Sequence, residues 1–291
     1  MGCSRKPEEV VHPKIQSMRA ALAALARIPL TLATSGGGSA SSAAAAATGK
    51  ESGCRLQTLP RGAAAVQNGP GGRPARGETE GWTEIINTTA RVLQEGGVIG
   101  VPTDTVYGLA CLAQNSQSIK NMYSVKGRNG SKPLAICVGN IEDIYRYCHV
   151  NVADELLRDL LPGPVTLVFE RSKSLNPDLN PFTSLVGVRI PDHSFIQLLA
   201  QTCSEPLALT SANISSQTST LMVQEFQDLW PQLSLVVDGG PIGNIMTPEC
   251  RLGSTVVDLS VSGKYTIIRP GCALMHTVEI LGKKYGLISD S

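Results

Sequence analysis

Not one aromatic residue precedes Trp82; the two tryptophans, six tyrosines and four phenylalanines all fall from that point on. Whatever core this chain builds must therefore be drawn from residues 82–291. The stretch from Ser35 to Gly77 is rich in Gly, Ala, Ser and Pro, with an alanine run from Ala43 to Ala47. Such a segment buries too little apolar area to offset its ordering entropy, so residues 1–81 are expected to be a disordered extension. The front of that extension carries a separate signal. No acidic residue lies between Glu9 and Glu51, whereas Lys14, Arg19, Arg27 and Lys50 do. Met18–Leu32 can form a short amphipathic helix with Arg19 and Arg27 on its polar side, ended at Pro29. That is the grammar of a mitochondrial transit peptide, although an alanine-rich extension with no address reads the same way. A second start at Met18 would supply two forms, and cytoplasm and mitochondrion are the expected locations. Lys6 occupies the position where a myristoylation signal after Met1-Gly2-Cys3 wants Ser or Thr, which argues against a lipid anchor.

From Trp82 onward the pattern is that of one mixed α/β domain. Ile85, Ile86, Ala90 and Leu93 share a helical face that Gly96-Gly97 ends. A second helix is read over 117–125, and a third places Leu156, Leu157, Leu160 and Leu161 on one face before Pro162-Gly163. Apolar runs at 98–101, 134–138, 165–169, 186–190, 207–209, 233–237, 255–259 and 265–268 read as strands. Interleaved with helices, they imply a twisted mixed β-sheet flanked by helices.

Several function classes are excluded on composition. There is no GxGxxG and no Walker A motif, which sets aside dinucleotide-binding and P-loop folds. The eight cysteines show no CxxC pair, and four scattered histidines do not repair the spacing; no zinc is expected, nor haem or flavin. The balance of 25 Lys+Arg against 24 Asp+Glu rules out a uniformly basic surface. Any attraction to polyphosphate or RNA must come from a local cluster. No stretch approaches the roughly 18–20 apolar residues of a membrane-spanning helix.

Polar residues gather at the ends of the expected strands, where open α/β sheets place their ligands. Pro102-Thr103-Asp104-Thr105-Val106-Tyr107-Gly108 offers two hydroxyls and a carboxylate that can bind a small polar substrate or simply cap the next element. Lys126, Arg128 and Lys132 lie close together among glycines. That combination suits a triphosphate, or makes a solvated basic turn. Arg189, after Val186-Gly187-Val188, is costly to bury without an anion; it pairs with a structural carboxylate or receives a substrate one. Thr210-Ser211-Ala212-Asn213 suits phosphate or ribose contacts, or an ordinary N-cap. Gly253-Ser254-Thr255 and Arg269-Pro270-Gly271 repeat the theme of a donor at a strand end.

Taken in order, PTDTVYGL, KGR…KPL, LPGPVTLV, VGVRIP, LTSAN, DGG, STVVD and IIRPG resemble the YrdC-domain family over essentially Trp82 to Gly271. The resemblance implies a threonylcarbamoyl-AMP synthase, an enzyme of nucleotidyltransferase type. It would form threonylcarbamoyladenylate and pyrophosphate from ATP, L-threonine and bicarbonate. The product would pass to the tRNA threonylcarbamoyl-transfer machinery for N6-threonylcarbamoyladenosine. Carried onto this chain, the family's pattern assigns L-threonine to Thr105, Arg189 and Ser254. It assigns ATP to Lys126, Arg128, Lys132, Ser211, Asn213, Ser219 and Arg269, with Lys126 and Arg128 as the catalytic cations. Mg²⁺ would arrive with ATP, with Asp104 as a candidate ligand. Two positions depart from the family: Cys137 stands where many members have His, and Asp104 where Glu is common. The second C-terminal domain of longer members has no counterpart in this sequence. Two other readings share these residues. One is a carbamoyl-adenylate-forming domain, which usually sits beside zinc-finger-like segments absent here. The other is an RNA-binding or ribosome-associated module, which would bind duplex RNA tightly and salt-sensitively and turn over no ATP; beside the synthase activity, weak RNA binding is the expectation.

Overall fold

At the centre of the sheet, alternate residues of each strand leave in opposite directions, and both sets are apolar. A computed structural model describes residues 54–60, 76–127 and 132–290, so Met18–Leu32 and Arg128 lie outside the described residues. The elements run β1 (Arg55–Thr58), α1 (Arg76–Gln94), β2 (Ile99–Val101), β3 (Gly108–Leu112), α2 (Ser116–Val125), β4 (Ala135–Cys137), α3 (Ile141–Tyr147), β5 (Cys148–His149), α4 (Asp154–Leu160), β6 (Val165–Arg171), β7 (Leu185–Arg189), α5 (Ser194–Cys203), β8 (Leu207–Ser211), β9 (Leu235–Asp238), β10 (Thr255–Asp258), β11 (Lys264–Arg269), α6 (Leu274–Glu279) and β12 (Ile288–Ser289). A 3₁₀ segment, Val223–Gln232, joins β8 to β9. The strands form one mixed sheet in the order β1-β9-β2-β3-β8-β4-β7-β6-β10-β11-β12, with β5 on β6. The expected mixed sheet with flanking helices is the architecture observed.

On one face, Leu109 and Cys111 of β3, Ala208 of β8 and Val236 of β9 pack with Ile119, Met122 and Val125 of α2. On the other, Ala110, Leu112, Leu207, Leu209, Leu235 and Val237 pack under Ile86, Ala90 and Leu93 of α1 and Phe195, Ile196 and Leu199 of α5. Strands covered on both sides read as continuous apolar runs. The α1/α5 cover does not extend across the whole sheet. Farther along, Val168, Leu185, Val256 and Ile268 form a small cluster of their own. Pairing places Leu209 opposite Ala135, Ala135 opposite Gly187 and Gly187 opposite Val168. This row therefore lies on the α1/α5 face, and two of its members are too small to fill it. That gap becomes the site.

Four strands were not foreseen: β1, β3 and the two-residue β5 and β12. Residues 1–81 do not form a uniformly disordered extension: Arg55–Thr58 adds to the sheet edge in parallel with Leu235–Asp238, and α1 begins at Arg76. β1 has no apolar run of its own and is held by backbone pairing, continued by the Leu59 amide donating to the Asp238 carbonyl at 2.8 Å. The five residues of β3 are all buried, yet Gly-Leu-Ala-Cys-Leu has little intrinsic β preference. Its neighbours β2 and β8 impose the conformation.

Leu59 is the side chain that fixes β1 to the domain, packing within the α1/α5 cluster. Its Cδ1 would lie 3.7 Å from a Cβ at Gly239, where Pro102 also packs. Leu59→Asp would put a carboxylate into the apolar α1/α5 cluster. It should lower unfolding free energy by about 1–3 kcal/mol, read by urea titration. An unchanged midpoint would show that β1 contributes nothing.

Candidate active site

The gap is a cleft of ≈ 950 Å³, counted out to solvent. Gly108, Leu209, Ala135, Gly187 and Val168 contribute to its floor, and Thr103, Arg189, Ser211, Ser219, Ser254 and Arg269 supply polar groups around it. A Cβ on Gly187 would meet Thr166 Cγ2 at 2.9 Å, and one on Gly108 would meet Leu209 Cδ1 at 2.9 Å. Glycine at both positions keeps the floor low.

Arg189 ends β7 on the cleft face, with a side chain 7% exposed. Its Nη2 donates to Asp104 Oδ1 and, at 2.9 Å, to Thr105 Oγ1. Asp104 Oδ2 accepts the Asp192 amide at 3.0 Å. The turn that carries these acceptors is folded by Thr103, whose Oγ1 donates to Val106 O at 2.6 Å and accepts the amides of Thr105 and Val106 at 3.2 Å. Of the two roles open to Arg189, pairing with a protein carboxylate is thus realised. The pairing is incomplete, however: the buried Arg189 Nε has no partner. Orphaned buried donors are rare in folded proteins, and this one belongs to a residue that lines the cleft.

Arg269 ends β11 at the same cleft. Its Nη2 donates to Ser254 O at 2.8 Å and to Ser254 Oγ at 3.2 Å, and Ser254 Oγ lies 2.9 Å from Thr166 Oγ1. Its Nε is also buried without a partner. Burial, and then the charge of Arg189, lower the pKa of this guanidinium from its ordinary value. Two desolvated cations sharing one cavity are unfavourable until an anion joins them. The close approach needs Gly271, where a Cβ would sit 2.3 Å from the Ser254 carbonyl carbon.

Lys126 departs from expectation. It is fully buried and not among the residues lining the cleft. Its Nζ donates to Ser211 O at 2.6 Å and to Asn213 O, with Asn213 Oδ1 at 3.4 Å. Instead of opening toward a phosphate, this ammonium ties the end of α2 to the turn after β8. The carbonyls of that turn point inward and need a donor. Asn213 likewise serves its own loop, with Nδ2 donating to Ile214 O at 2.9 Å and Gln217 O at 2.7 Å. Ser211, Ser219 and Ser254 line the cleft, whereas Thr105 lies behind Thr103 and reaches the site through Arg189. Lys132 is half-buried beside Pro133 and Leu134, which line the cleft; Arg128 is outside the described residues. Both oxygens of Asp104, the candidate metal ligand, accept protein donors. Among the described residues, no cluster of His, Cys, Asp and Glu could hold one.

Sequence reasoning offered the Thr103 hydroxyl as a possible substrate contact, though the family pattern passed it over for Thr105, and it missed Tyr107 and Thr166 as site residues. Tyr107 looks apolar in its motif, yet its hydroxyl donates to Gly240 O at 2.7 Å and accepts the Gly239 amide at 3.0 Å. It thereby anchors the Asp238-Gly239-Gly240 turn. Thr166 sits inside the Pro-Gly-Pro-Val-Thr run, and period-two alternation with Val168 was the available signal. Cys137 pairs in register with Arg189 but is fully buried, and burial pushes its thiol up to about 12. It is not among the cleft-lining residues, so it does not replace a histidine there.

Comparison with known proteins adds the lineage. The Sua5/YciO/YrdC family model, described as telomere recombination, matches residues 91–271. The threonylcarbamoyl-AMP synthase of Homo sapiens is 61% identical over 236 residues, which cover 81% of this chain and 82% of that one. The threonylcarbamoyl-AMP synthase of Pyrococcus abyssi is 30% identical over 199 residues, covering 67% of this chain and 56% of that one. The crystal structure of P. abyssi Sua5 complexed with L-threonine matches with a TM-score of 0.62 at 28% identity, over 70% of this chain and 58% of that chain. E. coli YciO shares the fold, with a TM-score of 0.58 at 24% identity over 65% of this chain and 89% of that chain. Sequence, fold and the ordered motifs around the cleft agree: the chain belongs to the Sua5/YciO/YrdC family.

Proposed function

We propose that this protein is a threonylcarbamoyl-AMP synthase that joins L-threonine, bicarbonate and ATP into threonylcarbamoyladenylate with release of pyrophosphate. The observation that carries the reading is the pair of buried guanidiniums, Arg189 and Arg269, lining one cleft, each with a buried Nε that lacks a protein acceptor. Relatives named for this activity, and one whose structure holds L-threonine, support it.

The chemistry needs alignment and charge neutralisation rather than a protein nucleophile. Arg189 takes the threonine carboxylate, with Asp104 and Thr105 fixing its orientation and Ser254 offering a hydroxyl nearby. The threonine amine gives up protons and bonds to the carbon of bicarbonate, which leaves a carbamate and water. A carbamate oxygen then bonds to the α-phosphorus of ATP as the α–β bridging bond breaks, and pyrophosphate departs. This is nucleotidyl transfer. Arg269 lies where negative charge grows, and Ser211 and Ser219 present polar groups to the nucleotide. Lys132 and Arg128 complete the set that the family pattern assigns to ATP. Lys126 acts through the wall it holds. Mg²⁺ would be carried by the nucleotide phosphates, as is usual for that ion. Buried Cys111, Cys137 and Cys148, whose thiols are pushed up to about 12, are unsuited to nucleophilic attack. The labile adenylate is consumed by the machinery that transfers threonylcarbamoyl to tRNA adenosine. The stretch between Glu9 and Glu51, basic and without acidic residues, supports a mitochondrial form beside a cytoplasmic one.

Three outcomes follow. Protein incubated with ATP, L-threonine and bicarbonate should yield threonylcarbamoyladenylate and pyrophosphate by mass spectrometry, and omission of threonine should abolish both; pyrophosphate released without threonine would defeat the assignment. Arg189→Lys keeps the charge but loses the fork, and kcat/KM for threonine should fall by about a hundredfold or more. Lys126→Met should cost about 2–5 kcal/mol of stability by orphaning the Ser211 and Asn213 carbonyls. A variant that melts like wild type yet has lost turnover would return Lys126 to a direct role on phosphate.

A further inference from the structure

The wall that presents Ser211 and Ser219 to the cleft contains no regular structure between the end of β8 and the 3₁₀ segment at Val223. Ser216 within it has φ of 75°, and Ile214 is 40% exposed. Its near end is fixed by Lys126. Its far end is fixed by an ion pair not used in the chemistry above. Arg251 Nη1 donates to Ser219 O and to Glu225 Oε2, each at 2.8 Å, while Nη2 donates to Glu225 Oε1 at 2.8 Å. Glu225 Oε2 also accepts the Leu221 amide at 2.8 Å, and the Ile242 amide bonds Leu221 O at 2.9 Å.

Arg251 therefore touches one wall of the cleft while standing three residues before Ser254, which lines the other. The pair is a fork-to-fork arrangement with side chains 24% and 27% exposed. Bidentate pairs of this kind fix geometry as well as adding energy. The Arg251 hydrogen bond, first among the causes, also holds the Glu225 carboxyl below its ordinary pKa. The segment between the walls turns at Gly253, with φ of 70°, so the spacing from Arg251 to Ser254 is set by a tight bend.

We propose that Arg251 is a positioning residue for the nucleotide: by binding Ser219 O and Glu225 together, it sets the distance between the Ser219 wall and the Gly253–Ser254 wall. The proposal rests on the reading that this cleft takes ATP. It predicts a selective effect. The main anchor for threonine is Arg189, oriented by Asp104 and Thr105 from other segments, so loss of the clasp reaches threonine only through the Ser254 hydroxyl and far less than it reaches ATP.

The test uses the full chain with three variants: Arg251→Lys, Arg251→Gln, and the double exchange Arg251→Glu with Glu225→Arg. KM for ATP, KM for threonine, kcat and the thermal midpoint are measured for each. Arg251→Gln should raise KM for ATP roughly tenfold while kcat and KM for threonine stay within about twofold. Arg251→Lys, a point charge without the fork, should recover only part of that. The exchange restores opposite charges but sets a carboxylate against Ser219 O and a guanidinium against the Leu221 amide. Its midpoint should recover toward wild type while KM for ATP remains high. Recovery of both together would show that the pair is merely structural and overturn the proposal. So would an unchanged KM for ATP in Arg251→Gln, or a parallel rise for both substrates. Failure of the wild-type protein to form the adenylate would instead overturn the functional reading itself.

Discussion

The burial of Arg189 against Asp104 is the constraint on which the site is built. Removing a guanidinium and a carboxylate from water costs several kcal/mol for each ion, and one hydrogen-bonded contact between them does not obviously return it. The arrangement becomes sensible once Arg189 is seen to be shared. Asp104 and Thr105 both take the same nitrogen, Nη2, which fixes the plane of the guanidinium and leaves Nε without a protein partner. The protein has thus arranged most of the desolvation beforehand, and a carboxylate entering the cleft meets a donor already oriented. Arg269 sharpens this bias, since its proximity leaves the empty site with uncompensated positive charge.

The sheet makes that juxtaposition possible. Asp104 and Arg189 are far apart in sequence, as are Lys126 and Ser211, and each pair meets because β4, β7 and β8 are neighbours in a mixed ladder. The same ladder supplies the floor. Where α1 and α5 cover the sheet, its residues are large; beyond them the cross-strand row passes through Ala135 and Gly187. A cavity here is a place where the side-chain layer thins out on an otherwise close-packed scaffold. The cost in lost packing is confined to one face, because the opposite face of the same strands remains filled with Ile136, Val188 and Leu167.

How far this was legible from sequence differs by residue. β6, β7 and β10 were readable because long β-branched runs have few alternatives. β3 was not, since Gly108, Ala110 and Cys111 carry no local preference and are strands only by virtue of their neighbours. β1 was hidden by the composition on either side of it and exists through backbone pairing, which leaves little trace in side-chain identity. Among the residues that line the cleft, Arg189, Ser211, Ser254 and Arg269 were legible as polar groups at strand ends, whereas Ser219 came only from the family resemblance and lies in the loop after β8. Thr105 was found by the same rule but reaches the cleft only through Arg189, and Thr103, its neighbour in the same turn, faces it directly. Tyr107 and Thr166 escaped because each sits mid-motif among apolar residues, where periodicity predicts burial but not the hydrogen bond that accompanies it.

Lys126 shows why charge in a sequence is a poor guide to where charge acts. Read linearly, it belongs with Arg128 and Lys132 in a basic cluster; in space it faces the carbonyls of Ser211 and Asn213. An ammonium is a compact donor whose hydrogen bonds can point in different directions, so it suits a cradle of unrelated carbonyls. A guanidinium divides its donors in a plane and can serve protein and ligand at once. Arg251 turns both Nη atoms to protein acceptors and becomes a clasp, whereas Arg189 and Arg269, which line the cleft, each spend Nη2 on the protein. Within this fold, the donor capacity left after the protein's own acceptors are satisfied separates a binding cation from a structural one, and that remainder is a property of the folded neighbourhood rather than of the residue type.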